Sequence, residues 1–288
     1  MATVYLVSTP IGNLGDLSPR ARETLAQVPR ILAEDTRRTR PLLTHLGLSA
    51  ALVSLHAHNE AERVEEILGW LADGEDVALV SDAGTPLVSD PGERLVEEVL
   101  AAGHQVVPVP GPSAILAALV ASGLPAGRFT FLGFLPRKGA QRRELLDRLA
   151  SAPETTVVFE SPERLVSLLE ELLAVSGSSR RGSVARELTK LHEEIVRGTL
   201  EELLDHFRSR PVRGEVTLVL EAAPDEGGSS HVDRAAAAAL ADALLEEGLS
   251  PSRAAREVAR RLRVPRNRAY EVVQSRARGG GSGDRRPS

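Results

Sequence analysis

The chain has 288 residues, 42% of them apolar and 26% charged, with a net charge of −5 and no cysteine. A soluble globular protein of about two domains is expected from this balance, and disulfides, thiolate metal sites and a cysteine nucleophile are excluded. No apolar run approaches the roughly 20 residues of a membrane span. No basic region precedes the first apolar run, Val4 to Val7, so a signal peptide is not expected and cytoplasmic residence fits.

Charge is unevenly placed. From Pro251 onward there are 11 Arg and no Lys against Glu257, Glu271 and Asp284, a balance of +8 that leaves −13 for the rest. A basic appendage on an acidic body suggests an anionic partner.

In chain order, Thr3 to Ser8 reads as a first strand running into Thr9-Pro10-Ile11-Gly12-Asn13-Leu14-Gly15-Asp16. Ser18-Pro19 then opens a helix, with Ser as cap and Pro in the first turn. Ile31 to Ala33 is a second strand, ending in the charged and hydroxyl-bearing segment Glu34 to Arg40. That segment is either a polar loop or a solvated helix start. Ala51 to Leu55 is a third strand, ending at His56-Ala57-His58-Asn59-Glu60. An amphipathic helix follows, with Val64, Ile67, Leu68 and Leu71 on one face. Two His without a third clustered ligand predict no metal site.

The stretch from Asp76 to Glu93 organises the chain. Four apolar residues, Val77 to Val80, stop in Ser81-Asp82-Ala83-Gly84-Thr85-Pro86-Leu87-Val88-Ser89-Asp90-Pro91-Gly92, and a helix follows. A stiff polar loop at the carboxyl end of a buried strand is where an open parallel sheet binds ligands. Gln105 to Pro110 is a fifth strand, ending in Gly111-Pro112-Ser113-Ala114, whose small residues let a ligand approach the next helix. Alternating strands and helices make residues 1–123 a parallel α/β domain.

The pattern breaks around Gly123 to Gly127. Residues 124–223 read as a second α/β domain, with strands near 129–134, 155–159, 182–185, 194–197 and 215–220. Several are too close in sequence for an intervening helix, so a mixed sheet is expected. Pro224 to Ser230 reads as a linker. Residues 232–277 read as helical and helix-turn-helix-like, or as a small bundle making a dimer contact. Residues 278–288 read as a disordered tail.

Taken together, Ser8-Thr9-Pro10-Ile11-Gly12-Asn13-Leu14, Glu34-Asp35-Thr36-Arg37-Arg38-Thr39, His58-Asn59-Glu60, Ser81-Asp82-Ala83-Gly84-Thr85-Pro86 and Pro110-Gly111-Pro112-Ser113-Ala114 resemble the ribosomal RNA small subunit methyltransferase I family of the tetrapyrrole methylase superfamily. The resemblance covers residues 3 to 277. It implies two α/β domains with S-adenosylmethionine between them, a homodimer, and 2′-O-methylation of a cytidine in 16S rRNA, free or in the small subunit. It places cofactor contacts at Pro10, Asp82, Ala83, Gly84, Leu87, Ser113 and Ala114, and second-domain contacts near Glu160 and Leu188. Relatives acting on tetrapyrroles carry a Gly-Gly-Asp-Pro type of loop. Asp82-Ala83-Gly84-Thr85-Pro86 sides instead with the RNA branch. Glu163 stands where the family pattern leads one to expect His, and it is assigned no role.

Methyl transfer from a sulfonium to a ribose oxygen needs alignment and one proton acceptor. Asp35, His58 and Glu60 are the first-domain candidates for that base, and Glu187 is the second-domain candidate. Arg37, Arg38 and Arg40 would grip RNA phosphates, and Arg256, Arg260, Arg266 and Arg268 would add salt-sensitive affinity. The alternatives are a tetrapyrrole or other small-molecule methylase on the same fold, and a noncatalytic ribosome-binding protein.

Overall fold

The computed structural model describes residues 2–224, 234–262 and 266–279. It contains two compact units, Met1–Ala222 and Ala223–Ser288.

The first unit holds two five-stranded sheets. β1 (Thr3–Val7), β2 (Arg30–Ala33), β3 (Ala51–Ser54), β4 (Val77–Val80) and β5 (Gln105–Val109) are all parallel, in the order β3-β2-β4-β1-β5. They alternate with α1 (Pro19–Gln27), α2 (Thr36–Leu46), α3 (Glu60–Ala72), α4 (Glu93–Ala101) and α5 (Ala114–Ala121). Period-two alternation explains why β4 reads as an unbroken apolar run. Val77 and Leu79 pack with Val64, Ile67 and Leu71 of α3 and Leu95 and Val99 of α4. Ala78 and Val80 pack on the other face with Ala21 and Leu25 of α1 and Leu43 of α2. A strand covered on both faces needs apolar residues at every position.

The charged segment after β2 is a helix start. Asp35 caps α2, its carboxylate accepting the Arg37 N–H at 2.9 Å, as short acidic side chains do at this position. The reading of Glu34 to Arg40 as a loop gives way to this cap. Thr36, Arg37, Arg38, Thr39 and Arg40 all lie within α2.

The second sheet has the order β6-β7-β10-β8-β9, built from β6 (Phe129–Phe134), β7 (Thr155–Glu160), β8 (Arg181–Arg186), β9 (Glu194–Thr199) and β10 (Val216–Leu220). Only β6 and β7 are parallel; the other pairings are antiparallel, so the sheet is mixed as its short connections predict. Helices α6 (Ala140–Ala150), α7 (Leu165–Ser176) and α8 (Leu200–Arg208) supply the rest of this half. Val158, Val184, Leu218 and Leu220 face them, together with Leu149, Leu168, Leu172, Leu203 and Phe207. The opposite face packs against the first half: Val157, Ala185 and Val219 meet Ile11, Ile115, Ala118 and Leu119. This second core fixes the two halves around a cleft.

In the second unit, α9 (Arg234–Glu246), α10 (Pro251–Leu262) and α11 (Arg266–Gly279) share a small core of Ala237, Ala241, Leu244, Ala254, Ala255, Val258, Ala269 and Val273. Arg256 and Arg260 are exposed on α10, and Arg260 pairs with Glu257. The side chains of Arg266 and Arg268, most of the expected linker and the 278–288 tail, save the helical backbone up to Gly279, lie outside the described residues. No helix among the described residues is long and apolar enough to cross a membrane.

Candidate active site

The loop after β4 is tied to the end of β1 by a reciprocal main-chain bridge. Thr9 N–H donates to Gly84 O at 2.8 Å, and Gly84 N–H donates to Thr9 O at 3.0 Å. Two hydroxyls reinforce it: Thr9 Oγ1 donates to Ser81 O at 3.1 Å and Ser81 Oγ to Gly84 O at 2.9 Å. Gly84 has φ +84°, and a Cβ there would lie 3.3 Å from Ile11 Cγ2, so both conformation and space favour glycine. Thr85 Oγ1 reaches Pro112 O at 3.4 Å, linking the loop to the turn before α5. Beyond this floor the backbone is strained, with Leu87 at φ +69° and Ser89 at φ +70°. Non-glycine residues held there cost roughly 1–3 kcal/mol each, and such strain clusters at functional sites.

This loop forms one wall of a cavity of about 470 Å³ between the two halves. Ile11, Asp82, Ala83, Gly84, Asp90, Ser113 and Ala114 line the first-half side. Phe134, Phe159, Glu160, Ser161 and Gly214 to Thr217 line the other. Five carboxylates (Glu34, Asp82, Asp90, Glu160 and Glu215) line it, of which Asp82 is paired with Arg38, Glu160 with Arg164 and Glu215 with Lys190, alongside the Phe134–Phe159 pair at 5.4 Å between ring centroids. Such a wall suits a ligand with positive charge at one part and an apolar or aromatic surface at another.

Glu160 is wholly buried, and its charge is compensated on one side. Oε1 accepts the Ser161 N–H at 2.8 Å and pairs with Arg164. Oε2 is buried with no hydrogen-bond partner among the described residues, and Arg142 Nη1 stands 3.8 Å away. Burying a carboxylate oxygen without a donor is unfavourable, so this atom is an acceptor in want of a ligand.

A second, more open pocket of about 660 Å³ adjoins the first and shares Glu34, Arg38 and Asp82 with it. Asp35, Thr36, Arg37, Ser54 and His56 complete its lining. Asp82 joins the two spaces: Oδ1 accepts the Asp35 N–H at 3.2 Å and Oδ2 lies 3.5 Å from Arg38 Nε. Burial, and after it the Asp82 carboxylate, holds Glu34 above the usual carboxylate range, with Arg38 and His56 opposing. Burial followed by Glu34 and Asp82 pushes Asp90 up to about 6. Asp35 goes the other way, to about 2, because its carboxylate is hydrogen-bonded to Arg37.

Several residues singled out in the sequence gather here, and others do not. Asp82, Ala83, Gly84, Ser113, Ala114 and Glu160 line the cavity, whereas Pro10, Leu87 and Leu188 are absent from its lining. Leu188 is buried in the core joining the halves. Arg37 and Arg38 line the open pocket, Arg37 being 89% exposed, and Arg40 lies outside both pockets. Asp35 also lines the open pocket, but His58 is exposed and lines neither space. Glu60 serves another purpose, its Oε1 accepting the Leu95 N–H at 3.2 Å in the first turn of α4. Glu187 is held by Lys190 at 2.9 Å, a hydrogen bond that lowers its pKa. Two residues missed in the sequence emerge. Asp90 ends the central loop and His56 sits at the end of β3, and neither lies within the residues that carry the family resemblance.

Residues 3–204 match the family of tetrapyrrole (corrin/porphyrin) methylases. Among curated relatives named ribosomal RNA small subunit methyltransferase I, that of Xylella fastidiosa (strain Temecula1) is 47% identical over 270 residues, covering 93% of this chain and 97% of the relative. That of Synechocystis sp. is 43% identical over 272 residues, covering 94% and 97%. Of the solved structures, a cobalt precorrin-4 methyltransferase superposes with a TM-score of 0.59 at 21% identity, covering 77% of this chain and 96% of that one. A uroporphyrin-III C-methyltransferase from Thermus thermophilus, complexed with S-adenyl homocysteine, gives 0.55 at 24%, covering 76% and 97%. These structural likenesses carry the fold, and the curated relatives carry the narrower assignment. The chain belongs to the ribosomal RNA small subunit methyltransferase I family, on the tetrapyrrole methylase fold.

Proposed function

We propose that the chain transfers a methyl group from S-adenosylmethionine to the ribose 2′-oxygen of a cytidine in small-subunit ribosomal RNA. The observation that supports it best is the pair of adjoining spaces: an acid-lined cavity for a cationic donor opens, at Glu34, Arg38 and Asp82, into a pocket rimmed by arginine. The acid-rich lining fits a ligand bearing a sulfonium and an ammonium, and Phe134, Phe159 and Ile11 offer apolar surface to its adenine. Asp82, Ala83, Gly84, Ser113, Ala114 and Glu160 would hold it.

S-adenosylmethionine supplies a methyl group already activated on sulfur. The chain then has to align the ribose oxygen and receive its proton. Asp90 is the acceptor we favour. It lines the donor cavity, accepts no hydrogen bond among the described residues, and is raised to about 6, near the working pH of a general base. Asp35 is occupied by Arg37 and Glu60 by the start of α4. Asp90 would take the 2′-hydroxyl proton as the ribose oxygen is methylated.

Residues 1–123 and 124–223 would close on the donor, while Arg37, Arg38 and Arg40 and the exposed Arg256 and Arg260 meet RNA phosphates; Arg266 and Arg268 would join them. Residues 232–277 would thus act as the basic RNA-binding appendage. We also propose a cytoplasmic homodimer, in keeping with the outward apolar Leu116 (52% exposed) and Val120 (73%) of α5. The test is incubation with labelled S-adenosylmethionine and, separately, small subunits, naked rRNA or a tetrapyrrole, followed by mapping of the label. Label on a cytidine ribose supports the reading. Label only on tetrapyrrole, or no S-adenosylmethionine binding by calorimetry, overturns it.

A further inference from the structure

The open pocket carries more than positive charge. Its wall includes one free carboxylate, Glu34, and one imidazole, His56. His56 follows the end of β3, and Asn59 sets its backbone: Asn59 Oδ1 accepts the His56 N–H at 2.8 Å while Asn59 Nδ2 donates to Ser54 O at 3.1 Å. The His56 Nδ1 atom is buried and has no hydrogen-bond partner among the described residues. An unpaired buried N–H is costlier to keep than a bare lone pair. In the neutral ring the proton therefore rests on Nε2, leaving an N–H donor on the ring's other side. Glu34 contributes the opposite function, since no hydrogen bond to its carboxylate is made by the described residues. Donor and acceptor thus share one pocket, next to the place where the methyl group would pass.

Among the bases, this pair matches only two. Cytosine presents an exocyclic amine beside an unprotonated ring nitrogen, and adenine presents the same order of donor and acceptor. Uracil and guanine present the reverse, a carbonyl beside a ring N–H. We propose that Glu34 and His56 read the Watson–Crick edge of the target nucleotide, the Glu34 carboxylate accepting from its exocyclic amine and His56 Nε2–H donating to the adjacent ring nitrogen. The pocket is then a specificity pocket for an unstacked amino-bearing base, as expected where proteins read single-stranded RNA edge by edge. The inference rests on RNA methyl transfer being the reaction.

The test uses the full chain and RNA in which the mapped target nucleotide is C, A, U or G. Wild-type enzyme should prefer C and A over U and G in kcat/KM by tenfold or more, as one good edge contact provides. His56→Ala should raise KM for RNA and shrink that preference about tenfold, with the Kd for S-adenosylmethionine unchanged by calorimetry. His56→Gln, which returns an N–H donor, should restore much of it. Glu34→Gln, offering both donor and acceptor, should improve the relative rate on U. An H56A enzyme that keeps the full preference, or a wild type indifferent to the base, overturns the proposal while leaving RNA methylation intact. A wild type that methylates no RNA removes both together.

Discussion

Asp82 Oδ1 accepts the main-chain N–H of Asp35 at 3.2 Å, so the loop after β4 and the first turn of α2 are held by one carboxylate. Its other oxygen faces Arg38. Donor cavity and arginine-rimmed pocket therefore share a side chain, and a change at Asp82 is felt in both. Asp82→Ala should weaken S-adenosylmethionine binding by about 2 kcal/mol, roughly thirtyfold, the usual worth of hydrogen bonds to charge. RNA affinity should fall less, because Arg37 keeps its Asp35 contacts. Parallel calorimetry and RNA titrations check the order of the two losses.

Asp90 couples stability to catalysis. Its native pKa is raised from 3.8 to about 6. Below pH 3.8 the carboxyl is protonated in both folded and unfolded chains and costs nothing. As pH rises through about 6 the native state must ionise it beside Glu34 and Asp82, and the penalty is then complete. Asp90→Asn should therefore stabilise the protein at pH 7.5 by about 1 kcal/mol, allowing for solvent access at this half-exposed position, and hardly at pH 4. The same variant should lose about 10²–10⁴-fold in kcat. Its pH–rate profile should also lose the acid limb near 6. Thermal melts at both pH values and a kcat profile test these together, and a normal kcat would remove Asp90 as the base.

Gly12 sets how closely the two halves approach. A Cβ there would overlap Lys190 and lie 2.9 Å from Thr189 Oγ1 and 3.0 Å from Leu188 O. The lysine can move aside, but the carbonyl belongs to a turn held at Glu187 φ +51° and Thr189 φ +66°. Gly12→Ala should part the halves slightly, raising the Kd for S-adenosylmethionine about tenfold with a loss of about 1–3 kcal/mol of stability. Calorimetry and denaturant titration read the two effects.

Removing residues 232–288 should weaken RNA binding and flatten its dependence on salt, while S-adenosylmethionine affinity stays put. Each lost phosphate contact reduces the slope of log K against log salt by about 0.7 for single-stranded RNA. An unchanged slope would show that Arg256, Arg260, Arg266 and Arg268 take no part.

The strand ends were legible because apolar runs stopping in polar turns are local features. Val77 to Val80 followed by Asp82 and Gly84 marked a buried strand ending in a polar loop without any tertiary information, and that loop lines the cavity. The mixed second sheet was equally readable, since β8 and β9 lie too close in sequence for an intervening helix. Asp90 was not readable: its perturbation comes from burial and then from Glu34, a residue of another strand end, and only the fold supplies the one and joins the other. His58 and Glu60 stood out as polar groups beside a strand end. The turn fixed by Asn59 leaves His58 exposed and commits Glu60 to the Leu95 N–H, while His56 lines the pocket. Sequence reading located the segment, and the turn decided which of its side chains the site receives.

The reciprocal bridge between Thr9 and Gly84 divides the central loop into two mechanical regimes. At Gly84 the amide belongs, in effect, to the sheet through its bond to Thr9 O, and its exchange with deuterium should be nearly as slow as that of β1 and β4. From Leu87 to Asp90 the strained backbone has no such anchor. Ligand binding should therefore register as new protection in the outer stretch, while Thr9 and Gly84 stay protected throughout. The loop is a sill fixed at Gly84, and Asp90 is carried on the stretch beyond it.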